Sequence, residues 1–205
     1  MNNNQIRNIN IKVLFLGDTK VGKSSLINTY FGNEFDPYMY TSNTYDYFVK
    51  KITKEDKSYS FKIFGIPGSE RYRNLIIPNL KQAKIIVLVF DMTNKQTFLE
   101  FDLFLEVIHE NLRNNKLNFI LIGNKADLIE NWKVKEEDGK KFSEIFGGKF
   151  FLSSAKNQVG EFRDFLDGYF EEYIQANKDE LENDNNNQQG ILLNENRRRR
   201  ANNGC

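Results

Sequence analysis

Apolar and polar positions along the chain fall into blocks of two kinds. Apolar or alternating runs occur at Ile9–Leu16, Tyr47–Ile52, Tyr59–Phe64, Ile85–Phe90, Phe119–Ile122 and Lys149–Leu152. Runs this short read as strands, and Ile85–Phe90, apolar at every position, reads as a strand covered on both faces. Between them lie helical patterns. Ser25–Phe31 is stopped by Gly32, Lys135–Phe146 is a short helix, and Phe98, Phe101, Leu105, Ile108 and Leu112 mark one face of a longer one. Phe162, Phe165, Leu166, Tyr169, Phe170 and Tyr173 recur at i, i+3, i+4, i+7, i+8 and i+11, the face of a helix packed on a sheet. A further helical stretch is expected within Arg71–Gln82, interrupted near Pro78. The charged Lys54-Glu55-Asp56-Lys57 predicts a hairpin between the second and third strands. Phe31–Asp46 predicts a long surface loop, and loops of that length inside a compact domain usually carry function.

Strands alternating with helices predict an α/β fold: a doubly wound, mostly parallel six-stranded sheet with helices on both faces. In such sheets ligands bind beyond the carboxyl ends of the strands. Residues 1–8 are polar and read as a flexible leader, and 9–176 as the folded domain. Residues 177–205 turn to Asn, Gln, Glu and Arg and are expected to be disordered, although Ile191-Leu192-Leu193 can dock on a partner.

Composition narrows the class. The 205 residues, 40% hydrophobic, suffice for one full domain with a tail. A net charge of +1 does not point to nucleic acid, but Arg197-Arg198-Arg199-Arg200 concentrates positive charge near the end. A single cysteine excludes an intrachain disulfide and fits a reducing compartment. With no signal peptide or membrane-spanning run, a cytoplasmic protein is expected, whose membrane contact would come through the tail.

The chemistry starts at Gly17-Asp18-Thr19-Lys20-Val21-Gly22-Lys23-Ser24, between the first strand and the first helix. Strand, Gly-x-x-x-x-Gly-Lys-Ser, helix is the setting of a phosphate-binding P-loop. Its glycines let successive N–H groups point at an oligophosphate, and the helix beginning near Lys23 and running into Ser25 adds its positive dipole end. Lys23 supplies a point charge for the β- and γ-phosphates and Ser24 a hydroxyl for Mg²⁺. Lys20 is expected to face solvent.

A second loop, Asn124-Lys125-Ala126-Asp127, follows the fifth strand. The Asp127 carboxylate can accept from guanine N1–H and the exocyclic amine, a pattern adenine lacks. Asn124 can tie this loop to the P-loop, and the Lys125 stem can lie along the base. Ser153-Ser154-Ala155-Lys156 follows the last strand, where the Ala155 N–H can meet guanine O6. These motifs, in this order and each at a strand end, make the chain resemble a small GTPase of the Ras superfamily, most like the Rab branch, over Ile9–Tyr173. Gly68-Ser69-Glu70-Arg71-Tyr72-Arg73, Ala83 and Val89-Phe90-Asp91-Met92-Thr93 are the Rab-like features.

The resemblance implies a P-loop NTPase fold, GTP/GDP and Mg²⁺ as ligands, and monomeric action in vesicle traffic. It also implies effectors reading Asp36–Tyr47 and Ser69–Gln82, an exchange factor, a GTPase-activating protein, and prenylation. By position Phe35 stacks on the guanine, the alternative being a core residue, and Thr19 lies near the hydrolytic centre. The resemblance breaks at Gly65-Ile66-Pro67-Gly68. The family has an Asp where Gly65 stands and a water-orienting Gln where Ser69 stands; Gly68 is retained for the γ-phosphate. Counting places Ser42 at the Mg²⁺-binding threonine position, with Thr41 and Thr44 as competitors, and the family's switch glycine is Thr44 here.

Lys23 and Gly68, with Ser69 as a weak third, are therefore the catalytic candidates, and hydrolysis is expected to be slow. The competing reading is a pseudo-GTPase scaffold; an ATP-using kinase is disfavoured by Asp127. His109 reads as a surface residue and Trp132 as a partly exposed loop residue. Cys205, the last residue, resembles a prenylated Rab terminus without a C-a-a-X box. One lipid chain binds a membrane marginally, so Arg197–Arg200 would have to supply a second signal.

Overall fold

The computed structural model describes residues 7–39, 45–69, 72, 76–80, 82–101, 105 and 118–181. Six strands form one sheet: β1 (Arg7–Leu16), β2 (Asp46–Lys54), β3 (Lys57–Gly65), β4 (Ile85–Asp91), β5 (Asn118–Asn124) and β6 (Lys149–Leu152). Their spatial order is β2-β3-β1-β4-β5-β6, with every pair parallel except β2 against β3. The described helices are α1 (Lys23–Tyr30), α2 (Ile76–Leu80), α3 (Lys95–Leu99), α4 (Glu136–Ile145) and α5 (Val159–Ala176).

Strand periodicity sorts the core into two halves, because successive side chains leave a strand on opposite faces. Ile9, Ile11, Val13 and Phe15 of β1 join the half built with α1 and α5, while Leu14 and Leu16 join the half that takes Ile76, Leu80, Phe90 and Phe101. Phenylalanine fills both halves. Phe61 stacks on Phe170 at 4.1 Å and 14°, pinning α5 to the sheet. Across the sheet Phe98 packs on Phe90 and Phe142 at 4.9 and 5.4 Å. Such ring pairs add about 0.5–1.5 kcal/mol each beyond the area they bury.

The β2–β3 hairpin turns at Lys54-Glu55-Asp56-Lys57, as expected. Lys54 pairs with Lys57, so only Glu55 and Asp56 form the loop, at φ +48° and +60°. Two left-handed residues give the turn whose twist matches the flanking strands. Pro78 does not interrupt a helix. It stands in the first turn of the short α2, where an N–H has no helical acceptor to lose. Before the longer helix stands the short α3, which Asn94 caps by accepting from the Gln96 N–H at 3.1 Å. Phe101 and Leu105 are buried as expected; Ile108, His109 and Leu112 lie outside the described residues.

Both domain boundaries move outward. Strand β1 begins at Arg7, paired with Lys57, because main-chain pairing does not require apolar side chains. Ser60 Oγ also donates to Asn8 Oδ1 at 2.8 Å. At the other end the chain stays helical to Leu181, whose N–H donates to the Asn177 carbonyl at 3.0 Å. Leu181 is 2% exposed, packed into the α1–α5 half of the core. Lys178 pairs with Glu55 and Glu180 with Lys84 around it, exposed contacts that add little beside the buried leucine. The polar composition expected to leave everything after Asn177 unfolded thus hides one apolar anchor. Leu181→Ala should cost about 2 kcal/mol of unfolding free energy, read as a lower denaturant midpoint at unchanged slope.

Candidate functional site

A cavity of about 530 Å³ opens beyond the carboxyl ends of β1, β3, β5 and β6. That is within the range of small-molecule sites. Its walls include Thr19, Lys20, Gly22, Lys23, Ser24 and Ser25 from the P-loop and α1. Gly68, Asn124, Lys125, Asp127, Ser154, Ala155 and Lys156 line it as well. The three motifs, at residues 17–24, 124–127 and 153–156, therefore meet in one hollow, as expected. Gly17, Asp18 and Val21 form the body of the loop behind them.

Close packing holds the P-loop in its curl. Gly22 has φ +96°, and a Cβ there would stand 2.2 Å from Asn124 Nδ2. A Cβ on Gly68 would meet the Asp18–Thr19 peptide at 2.3–2.6 Å. Glycine at these two places lets the base loop and the end of β3 touch the P-loop backbone directly. Lys20 is exposed with φ +61°, and Lys125 has φ +63°. Two non-glycine residues in the left-handed region concentrate backbone strain at the site.

Asn124 makes the tie that the sequence suggests. Its buried Nδ2 donates to the Val21 carbonyl at 2.8 Å, and its Oδ1 accepts from the Ala155 N–H at 3.3 Å. One side chain thus joins P-loop, base loop and the turn after β6. The Ala155 N–H, expected to meet guanine O6, is directed at Asn124 here, through a bond long enough to be exchanged readily. Asp127 accepts from Ser154 Oγ at 2.7 Å through Oδ1, and Ser154 Oγ in turn accepts from the Lys156 and Asn157 N–H groups. Lys125 is held by Asp91 at 2.5 Å, which lays its stem along the cavity wall.

At the phosphate end, Lys23 is buried and donates to the Gly17 and Asp18 carbonyls at 2.8 and 2.7 Å. Burial pushes its ammonium down to about 8, against the opposing pull of Asp18 and Asp46. An arriving phosphate would supply the counter-charge that burial withholds. Ser24 Oγ donates to Asp46 Oδ2 at 2.5 Å. Burial pushes the Asp46 carboxyl up, and the Ser24 bond and Lys23 partly oppose this.

Phe35 is half-buried; it packs against the α1–α5 core and also lines the cavity, so it meets both alternatives read from the sequence. Ser69 does not line the cavity, and its hydroxyl is buried without a hydrogen-bond partner among the described residues. Trp132 is half-buried with its Nε1 similarly unpartnered. Thr41, Ser42, Thr44, Ile191–Leu193, Arg197–Arg200 and Cys205 lie outside the described residues. The sequence reading missed Asp46 as a site residue. The signal was present in the hairpin, since a turn centred on Glu55 and Asp56 places Asp46 opposite Gly65.

The residues fit a nucleotide with a divalent ion. Loop amides and a buried lysine occupy one end of the hollow, a carboxylate and a backbone donor the other. Hard oxygen donors, Ser24 and Asp46, stand at the phosphate end. Among the described residues no three His, Cys, Asp or Glu side chains gather to hold a metal, so an ion here would draw on phosphate oxygens.

Comparison with known proteins agrees with this geometry. The sequence profile described as "Ras family" matches residues 12–175. The chain is 30% identical over 170 residues to the Ras-related protein SEC4 of Saccharomyces cerevisiae, covering 82% of this chain and 78% of that protein. It is 32% identical over 149 residues to the Ras-related protein Rab-8B of Dictyostelium discoideum, covering 73% of each.

Asn124→Ala would leave the Val21 carbonyl buried and unpartnered, at about 1–3 kcal/mol. The expected outcome is a lower melting temperature of the nucleotide-free protein, together with a larger loss when guanosine diphosphate is present, because the two loops no longer share a support.

Proposed function

The chain belongs to the Ras family of small GTPases, on its Rab branch, and from that premise we propose that it is a guanine-nucleotide switch of vesicle traffic with slow intrinsic GTP hydrolysis. The observation that carries the reading is the single hollow in which Lys23 and the loop amides face one end and Asp127 with Ala155 the other. Gly17–Ser25 bind the phosphates, Asn124, Lys125 and Asp127 with Ser154–Lys156 bind the base, and Phe35 flanks it. Mg²⁺, when bound, would neutralise charge on the β- and γ-phosphates. Ser24 would supply one ligand and, by its position in the chain, Ser42 another, with Thr41 and Thr44 as its competitors.

Slow hydrolysis follows from what the second switch lacks. Gly65 offers no carboxylate, and the Ser69 hydroxyl is buried away from the cavity. Catalysis in this class is mostly positioning and charge stabilisation. Gly68 keeps an N–H for the γ-phosphate beside Lys23. Loss of a water-orienting side chain removes on the order of a hundredfold in rate, about 3 kcal/mol. The buried Ser69 hydroxyl also favours a second reading, a pseudo-GTPase that binds nucleotide and effectors without turning GTP over.

Effectors would meet the exposed Tyr38, Tyr45 and Tyr47 of the Asp36–Tyr47 segment and the exposed Ile77 of Ser69–Gln82. No described helix is long and apolar enough to cross a membrane. Attachment to a cytosolic membrane face would rest on prenylated Cys205 with Arg197–Arg200. Exchange factor and activating protein act on the monomer.

Labelled GDP bound to the protein should be displaced by GTP and not by ATP. Asp127→Ala should weaken GDP binding about a hundredfold or more, since one carboxylate answers two donors of guanine; equilibrium competition measures both. In single-turnover assays the Ser69→Gln variant should hydrolyse GTP faster than the parent. Equal rates would favour the scaffold.

A further inference from the structure

Ser24 is the P-loop hydroxyl, and a metal held by such a hydroxyl would also draw on an acid close by. Among the described residues three aspartates line the cavity, Asp36, Asp46 and Asp127. Asp127 is at the base end, bonded to Ser154, and Asp36 is exposed, its Oδ1 accepting from the Tyr38 N–H. Asp18, in the P-loop body, turns Oδ1 back onto the Thr19 N–H. Asp46 alone among these reaches Ser24, through the 2.5 Å bond to Oδ2.

The sheet explains how it gets there. Asp46 is the first residue of β2 and stands across the antiparallel ladder from Gly65, the last residue of β3. A Cβ on Gly65 would lie 2.8 Å from Asp46 Oδ2, 3.1 Å from Asp46 Cβ and 3.0 Å from Ile27 Cδ1. The carboxylate of Asp46 therefore fills the space that a side chain at position 65 would claim. A side chain at 65 would push the Asp46 carboxylate aside, and a second acid there would place like charges side by side. Glycine at 65 is what gives Asp46 its room.

Resting on the nucleotide-binding reading above, we infer that Asp46 is the metal-side carboxylate of this site, delivered from the start of β2 in place of one from the end of β3. It is a positioning and ion-holding residue: hydrogen-bonded to Ser24, near Lys23, on the wall of the phosphate end. The chain has then not lost its acid at the metal, but has moved it one strand toward the sheet edge.

The test uses the full chain loaded with GDP and titrated with Mn²⁺, free ion being followed by electron paramagnetic resonance, and the GDP release rate in chelator as a second readout. Asp46→Asn, which keeps shape and a hydrogen-bonding oxygen, should weaken Mn²⁺ binding about 10- to 100-fold, far more than it changes the GDP release rate in chelator. A double variant, D46S with G65D, should recover Mn²⁺ binding, since the carboxylate re-enters the same space from the other strand. Mn²⁺ binding by D46N at wild-type strength overturns the inference while leaving nucleotide binding standing. So does faster GDP release from D46N in chelator equal to its Mn²⁺ defect, which would mark a structural role only. Failure of the wild type to hold GDP with or without the ion overturns both this inference and the reading it rests on.

Discussion

A buried amide holds this site together. Asn124 is at the end of β5, and its two polar atoms bind the Val21 carbonyl, 103 residues away in the chain, and the Ala155 N–H, 31 residues away. Both partners are backbone groups in loops distant from one another in the chain. Burial makes the tie strict, because a polar atom removed from water must keep its partner. Gly22 accepts the amide at a distance no side chain would tolerate, so the glycine and the asparagine are one device. Every feature of the hollow, from Lys23 at one end to Asp127 at the other, takes its position from it.

Behind the loops the sheet acts as a fixed base. Strand β4 is buried at all seven positions and lies between β1 and β5, so the strand ends carrying the P-loop and the base loop cannot shift independently. Stacked phenylalanines lock the helices to each face, and Leu181 closes the end of the α1–α5 half. A site whose loops include left-handed lysines needs that support, since strain persists only where the surroundings over-determine it.

The second switch tells a different story from the rest. Where the P-loop and base loop keep the chemistry of their family, the segment Gly65–Ser69 does not, and the geometry around Gly65 shows that the change is not confined to one residue. An absent side chain on β3 is matched by a carboxylate occupying its space from β2. Charge at the phosphate end is thereby kept, whereas the group that would orient water is not replaced: Ser69 turns its hydroxyl into the protein. Holding a nucleotide and cleaving it are separable demands.

How much of this is legible in the residues depends on the range of the interactions. Strand runs, helix faces, the P-loop and the base loop are local patterns, and period, glycine spacing and motif order were enough to predict the six-stranded sheet and the P-loop and base-loop residues at the carboxyl ends of its strands. The outer limits of the domain were not, because pairing of Arg7 and Asn8 in β1 and burial of Leu181 arise from contacts with distant segments that polar composition conceals. The inward turn of the Ser69 hydroxyl likewise belongs to the folded chain. Asp46 is the clearest case. Its register opposite Gly65 could be counted from the hairpin, but its reach to Ser24 depends on three elements meeting in space. Sequence alone determined what kind of pocket this chain builds, since each motif carries its own chemistry. Only the tertiary structure decided which carboxylate stands at the phosphates, because that is settled by the room one side chain leaves for another across a sheet.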